Sequence, residues 1–316
     1  MIRHMNRLIS ILLIILAATG LIFANRFVLI DLMDISQSSP LPARGTPPSG
    51  NISGANEDDP VRIGVVSRFA PNIIYSGYQP IMDYLNRFGT RHYELRLSTS
   101  YQDAVDRLRQ GEVTASFLGA WITSRLDSDS QLVPLVAPLN QHGKSEFQAV
   151  LVTGPDCDLT SLAQLAGLKV ALPSSQSWSG NWLQTTGLPG VGLCTADLDS
   201  IHHFDHHQTV VWQVLGGKFG AGVVKESVAH SYAKEGLRTV AMSAPIPGPP
   251  LVGNPRINGE VIAEITSLLL ALDPDDPADR EILNSWTEEF SFGFCPVGWD
   301  HYRNAFRHGF GDRVGN

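Results

Sequence analysis

Between residues 61 and 119 the chain switches repeatedly between short apolar runs and amphipathic ones. VRIGVVS (Val61–Ser67) is an apolar run of strand length, which predicts a buried strand. In YQPIMDYLNRFG (Tyr78–Gly89), Ile81, Leu85 and Phe88 recur at helical spacing and the segment stops at glycine, which predicts a helix. YELRLS (Tyr93–Ser98) alternates as a strand, and the next segment reads as a helix capped by Ser100 and stopped by Gly111. TASFLG (Thr114–Gly119) returns to a buried strand. The order β-α-β-α-β predicts an α/β fold with a parallel sheet covered by helices.

A second unit of the same kind runs from about Ser145 to Met242. FQAVLVTG and KVALPSS read as strands flanking the short helix DLTSLAQLAG. A helix from Ser179, a strand in IHHFD, a helix in QTVVWQVLGG and a strand in AGVVK follow. The remainder, PIPGPPLVGNP and two helices, shows no sheet-forming run of its own, so its helices are expected to return to the first unit. The expectation is one lobe from 61–144 with 243–316, a second from 145–242, and two crossings between them. A cleft between such lobes is a natural ligand site.

Ahead of this body, Arg3, His4 and Arg7 precede the apolar run Leu8–Ala24. A basic flank before an apolar stretch directs export with the basic end kept in the cytoplasm. The run is slightly shorter than the ~20 residues of a spanning helix, but FVLIDLM follows at once. Ile22 and Ala24 suit a cleavage site poorly, so residues 1–35 read as an uncleaved membrane anchor in preference to the alternative, a cleaved signal segment. Residues 36–60 are rich in Ser, Pro and Gly and read as a flexible linker. Either way the body lies on the extracytoplasmic, periplasmic face.

Composition sharpens this in two respects. The 316 residues are 43% hydrophobic and 17% charged, which is ordinary globular content. A net charge of -8 does not suit tracking of a phosphate backbone, so nucleic acid is not an expected partner. Of the three cysteines, Cys157 and Cys194 pair in an oxidising compartment or stay as small buried thiols, and no C-x-x-C motif is present.

Candidate chemistry gathers at two places. LPSSQSWSGNW (Leu172–Trp182) sits where a strand ends and a helix begins, with Ser174, Ser175, Ser177 and Ser179 supplying hydroxyls. Free N–H groups at a helix start suit a tetrahedral oxyanion; an N-cap with surplus serines accounts for the same residues. HHFDHH (202–207) holds four of the ten histidines. On a strand His203, Asp205 and His207 share one face, as a metal site needs; a strand end with solvated histidines reads equally. Tyr75, Tyr78 and Trp121 fall at or just after expected strand C-termini, the ligand side of an open α/β sheet, or else belong to the core. Glu288/Glu289 and Asp275/Asp276 fall in polar segments and read as solvated. No Gly-x-Ser-x-Gly elbow or activated cysteine points to an enzyme, and no cofactor motif stands out.

Several stretches together resemble the substrate-binding proteins of phosphonate/phosphite-type ABC transporters, which have the type II periplasmic binding fold. They are YQPIMDYL, DAVDRLRQGEVTASFLG, SLAQLAGLKVAL with SWSG, HHQTVVWQVLGGKFGAGVV and IPGPPLV, spanning roughly Val61 to Phe310. The resemblance implies two lobes closing on a small anion. It assigns the anion to the family's Ser-Thr-Ser-Gly run, here Ser177, Trp178, Ser179 and Gly180, and to His207. It places Tyr75 and Tyr78 in a first-lobe loop facing the ligand, with Trp121 beside them. Trp178 replaces a threonine, Gly220 an aspartate, and Pro249 the acid that meets a ligand amine, which argues against an amine-bearing ligand. The expected function is a tethered binding protein that delivers a small oxyanion to an ABC permease. The alternatives are a sensor partnering a membrane histidine kinase and a histidine-based metal-binding protein.

Overall fold

The computed structural model describes residues 59–126 and 131–307. The expected anchor, 1–35, and all but the last two residues of the expected linker lie outside the described residues. Among the described residues no helix is long and apolar enough to cross a membrane.

In chain order the first strands are β1 (Val61–Val66), β2 (Tyr93–Ser98), β3 (Ala115–Phe117) and β4 (Val133–Pro138). Next come β5 (Glu146–Phe147), β6 (Ala149–Thr153), β7 (Lys169–Leu172), β8 (Ser200–His203) and β9 (Ala221–Lys225). The last are β10 (Arg238–Met242), β11 (Ile246–Pro247), β12 (Leu251–Gly253) and β13 (Phe294–Pro296). One sheet has the order β13-β4-β12-β3-β1-β2 and the other β10-β6-β9-β7-β8. β1 is parallel to β2 and β3, and β7 is parallel to β8 and β9, as short apolar strands joined by helices require. The chain passes between the sheets twice, and at those crossings β5 and β11 pair antiparallel as a two-stranded ribbon.

The helices are α1 (Pro71–Phe88), α2 (Tyr101–Gln110), α3 (Ala120–Ser124), α4 (Trp178–Trp182) and α5 (His207–Leu215). They continue with α6 (Glu226–Ser231), α7 (Pro255–Ala271), α8 (Pro277–Asn284) and α9 (Trp299–Arg307). α2 shows how closely local chemistry sets its ends. The Ser100 hydroxyl accepts the Asp103 N–H, and Gly111 closes the helix at φ 75°, a left-handed conformation that favours glycine.

Two expectations are corrected. α1 starts at Pro71, not Tyr78, because Pro71 opens the helix and Ile74 and Tyr78 bury together with Ile81, Met82 and Leu85. Phe88, counted in the apolar spacing, is 48% exposed at the helix end. The stretch after Met242 does form strands: β12 lies between β3 and β4, and β13 borders β4. Prolines on both sides hide so short a strand, and three residues suffice because both neighbours supply backbone partners.

The cap on α2 gives a direct check. Ser100→Ala should lower stability by ~1 kcal/mol in urea denaturation, and Ser100→Asp should keep most of it. An unchanged midpoint for the alanine variant would contradict the capping role.

Candidate functional site

The C-terminal ends of the parallel strands of both sheets converge on one small cavity. β1 delivers Arg68 and Phe69, the turn after β3 delivers Gly119 and Ala120, and α2 begins with Tyr101. From the other sheet come Ser177, Trp178 and Ser179 after β7, His207 after β8, and Lys225 at the end of β9. Phe147 and Pro249, one from each crossing, complete a space of about 30 Å³.

Three charged side chains, each 11–13% exposed, tie the two sides together. Arg68 Nη2 donates to Glu289 Oε1 at 2.6 Å and to the Tyr78 hydroxyl at 2.5 Å. Lys225 Nζ lies 3.2 Å from the same Glu289 oxygen and 5.4 Å from the centroid of the Phe147 ring. Burial pushes the Glu289 carboxyl up, but Arg68 and Lys225 outweigh it and hold the group at about 2. Burial also lowers Lys225, an effect that Glu289 opposes. Phe290, packed on Tyr78 at 5.0 Å and on Phe117 at 5.6 Å, anchors the turn that presents Glu289.

His207 opens α5 and is buried, with its ring 5.6 Å from that of Phe69. Its Nδ1 accepts the Lys225 backbone N–H at 3.3 Å, so the neutral ring carries its proton on Nε2. Burial, then Arg68 and Lys225, lowers it to about 3. The His207 backbone N–H reaches the Arg68 carbonyl at 3.4 Å, a second tie between the sheets.

Ser177 is the N-cap of α4: its hydroxyl donates to the Ser174 carbonyl at 2.8 Å and accepts the Gly180 N–H at 3.1 Å. The buried Ser179 hydroxyl has no hydrogen bond among the described residues. The N–H groups of Trp178 and Ser179 stand in the first turn, where no intrahelical acceptor exists. Gly180 is set by close packing, since a Cβ there would meet the Ser174 carbonyl oxygen. Trp178 lines the cavity with its ring packed on Trp121 at 5.6 Å and Phe306 at 5.3 Å.

Four of the eight expected residues, Ser177, Trp178, Ser179 and His207, therefore meet at the cavity, and four stand elsewhere. Gly180 stands one residue behind the lining. Tyr75 is 46% exposed on α1, which is a helix where a loop was expected, and turns away from the cavity. Tyr78 is buried behind Arg68, and Trp121 is buried behind Trp178. Glu289, read as solvated, is corrected to a carboxylate only 13% exposed, because two cations from opposite sheets converge on it. Arg68 and Lys225 were also missed, though Arg68 is the first charged residue after β1 and Lys225 is the last residue of β9.

Among the described residues no group of three or more His, Cys, Asp and Glu side chains gathers as a metal site. His202 and His203 are exposed at the end of β8, and the half-buried His206 precedes α5 without a capping bond from its side chain. All three cysteines are free thiols, and Cys194 is exposed, so neither the pairing nor a fully buried pair of thiols is found.

Residues 63–302 match the family described as "ABC transporter, phosphonate, periplasmic substrate-binding protein". Solved structures share the fold. A binding protein component of an ABC phosphonate transporter from Pseudomonas aeruginosa superposes with a TM-score of 0.68 at 14% identity, over 78% of this chain and 84% of its own. PhnD1 from Prochlorococcus marinus, in complex with methylphosphonate, gives 0.66 at 18% identity, over 79% and 96%. The periplasmic aliphatic sulphonate binding protein SsuA from Escherichia coli gives 0.51 at 15% identity, over 73% of each chain.

The depressed His207 makes stability pH-dependent with a defined sign. Below its ordinary value of 6.5 the unfolded chain takes up a proton that the folded site refuses until about 3, so stability falls as pH drops through that window. Between about pH 6.5 and about pH 5 this amounts to ~2 kcal/mol. Urea titrations across the window should show that loss in the native protein and its absence in His207→Gln. Parallel pH profiles would contradict a buried neutral imidazole.

Proposed function

The chain belongs to the periplasmic substrate-binding proteins of phosphonate ABC transporters, and from that premise we propose that its ligand is a compact oxyanion without an amine. The ligand occupies the cavity between the two sheets and is handed to a membrane permease. The observation that carries this reading is the lining itself: two buried cations, a neutral imidazole and an unpaired hydroxyl, with no carboxylate among them. Ser179 donates its hydroxyl, Trp178 and Ser179 their first-turn N–H groups, and His207 its Nε2–H. Arg68 and Lys225 supply the charge. Ser177 holds the loop as a cap, and Trp178 takes up room that a longer substituent would need.

The absence of an acid on the lining supports a ligand without an amine, as an ammonium group there would face Arg68 and Lys225 unpaired. The apolar run Leu8–Ala24 supports tethering of this body to the membrane beside its permease.

Calorimetry with methylphosphonate and phosphite tests the assignment. Ser179→Ala should weaken binding about tenfold to a hundredfold, the range for a hydrogen bond to a charged group. Ser177→Ala should instead cost ~1 kcal/mol of stability through the lost cap. Unchanged affinity in Ser179→Ala and His207→Gln together would rule out this site.

A further inference from the structure

Arg68 and Lys225 both line the cavity, whereas the carboxylate that pairs with them does not. Glu289 instead borders a larger groove of about 690 Å³ on the far side of Lys225. We propose that Glu289 sets the charge of the ligand: it leaves the cavity one net positive charge, so that the site selects a singly charged oxyanion over a doubly charged one of the same shape. This inference rests on the oxyanion reading above and names the charge class within it.

The count follows from geometry. Arg68 and Lys225 contribute two positive charges, and Glu289, 2.6 and 3.2 Å from them, removes one. His207 adds none, because its Nδ1 is occupied in accepting the Lys225 N–H. The other groups facing the triad are the Tyr78 hydroxyl, which accepts from Arg68, and the buried Tyr101, whose hydroxyl meets Ser177. Glu226, half-buried on the groove side, makes no ion pair among the described residues and exerts the weakest of the pulls on Lys225, and Glu288 stands exposed on the same groove. A largely buried site of fixed charge penalises a ligand whose charge it does not match, because solvent screens the excess only weakly. A singly charged phosphorus oxyanion also keeps a P–OH hydrogen, and the Ser179 hydroxyl is able to accept it as well as donate.

Three probes of similar shape separate charge from fit in calorimetry: methanesulfonate, a fixed monoanion; sulfate, a fixed dianion; and methylphosphonate, followed across its second ionisation. The native protein should bind methanesulfonate more tightly than sulfate. Its affinity for methylphosphonate should fall about tenfold per pH unit above that ionisation, after correction by methanesulfonate for titration of the protein itself. Glu289→Gln leaves two cations unbalanced, so sulfate should overtake methanesulfonate and methylphosphonate should bind better once doubly charged. The proposal is overturned if the native protein prefers sulfate or if Glu289→Gln keeps the native order. Should that variant fail to show a cooperative melt, Lys225→Met leaves Arg68 neutralised by Glu289 and should weaken methanesulfonate at least about tenfold. Unchanged binding there overturns it equally. Failure of the native protein to bind any of the three removes the oxyanion reading itself, which is a different result from a wrong order among them.

Discussion

One carboxylate oxygen of Glu289 lies within reach of Arg68 on one side and Lys225 on the other, and the arrangement of the two sheets around the cavity depends on it. The three groups come from just after β1, the end of β9 and a turn near the C-terminus, so two ion pairs sharing one carboxylate oxygen tie together distant parts of the chain. Such a triad adds little net stability over well-packed apolar residues, yet losing one member strands the others without solvent. Its contribution is therefore one of definition. It specifies which faces of the two sheets meet, and it sets the electrical character of the space they enclose.

The packing around the triad serves that definition. Phe290 is wedged among Tyr78, Phe117 and Phe294, which fixes the turn carrying Glu289. Phe147, at the crossing ribbon, covers Lys225, and Phe69 covers His207. Apolar rings thus cover the cavity side of the ionic groups and hold the imidazole neutral. The donors at the start of α4 then act in a medium where each hydrogen bond counts for more than it would in water.

The α/β frame was legible from hydrophobic spacing because β1, β7 and β9 are buried apolar runs and α2 carries its own stop and start signals. β12 was not legible, since a three-residue strand between prolines has too few positions to show a period. Within the site, Ser179 could be found because it sits at a strand-to-helix junction, whereas His207 was set apart from its neighbours by the family resemblance. Glu289 could not be found: the doublet Glu288–Glu289 looks alike in sequence, and only the neighbouring Phe290, buried in the core, tells which member turns inward. The histidine run shows the same limit. Four residues identical in composition differ because only His207 falls on the first turn of α5, beneath Phe69 and against the Lys225 N–H.

Trp121 belongs to the helix that follows β3, Trp178 to the helix that follows β7, and their rings lie 5.6 Å apart with Phe306 closing the third side. Two indoles from opposite sides of the binding space are thus neighbours only while the sides are together. A motion that separated the two sides would change the surroundings of both rings. With the other four tryptophans replaced, the emission of this pair would report the closeness of the two sides without an added label.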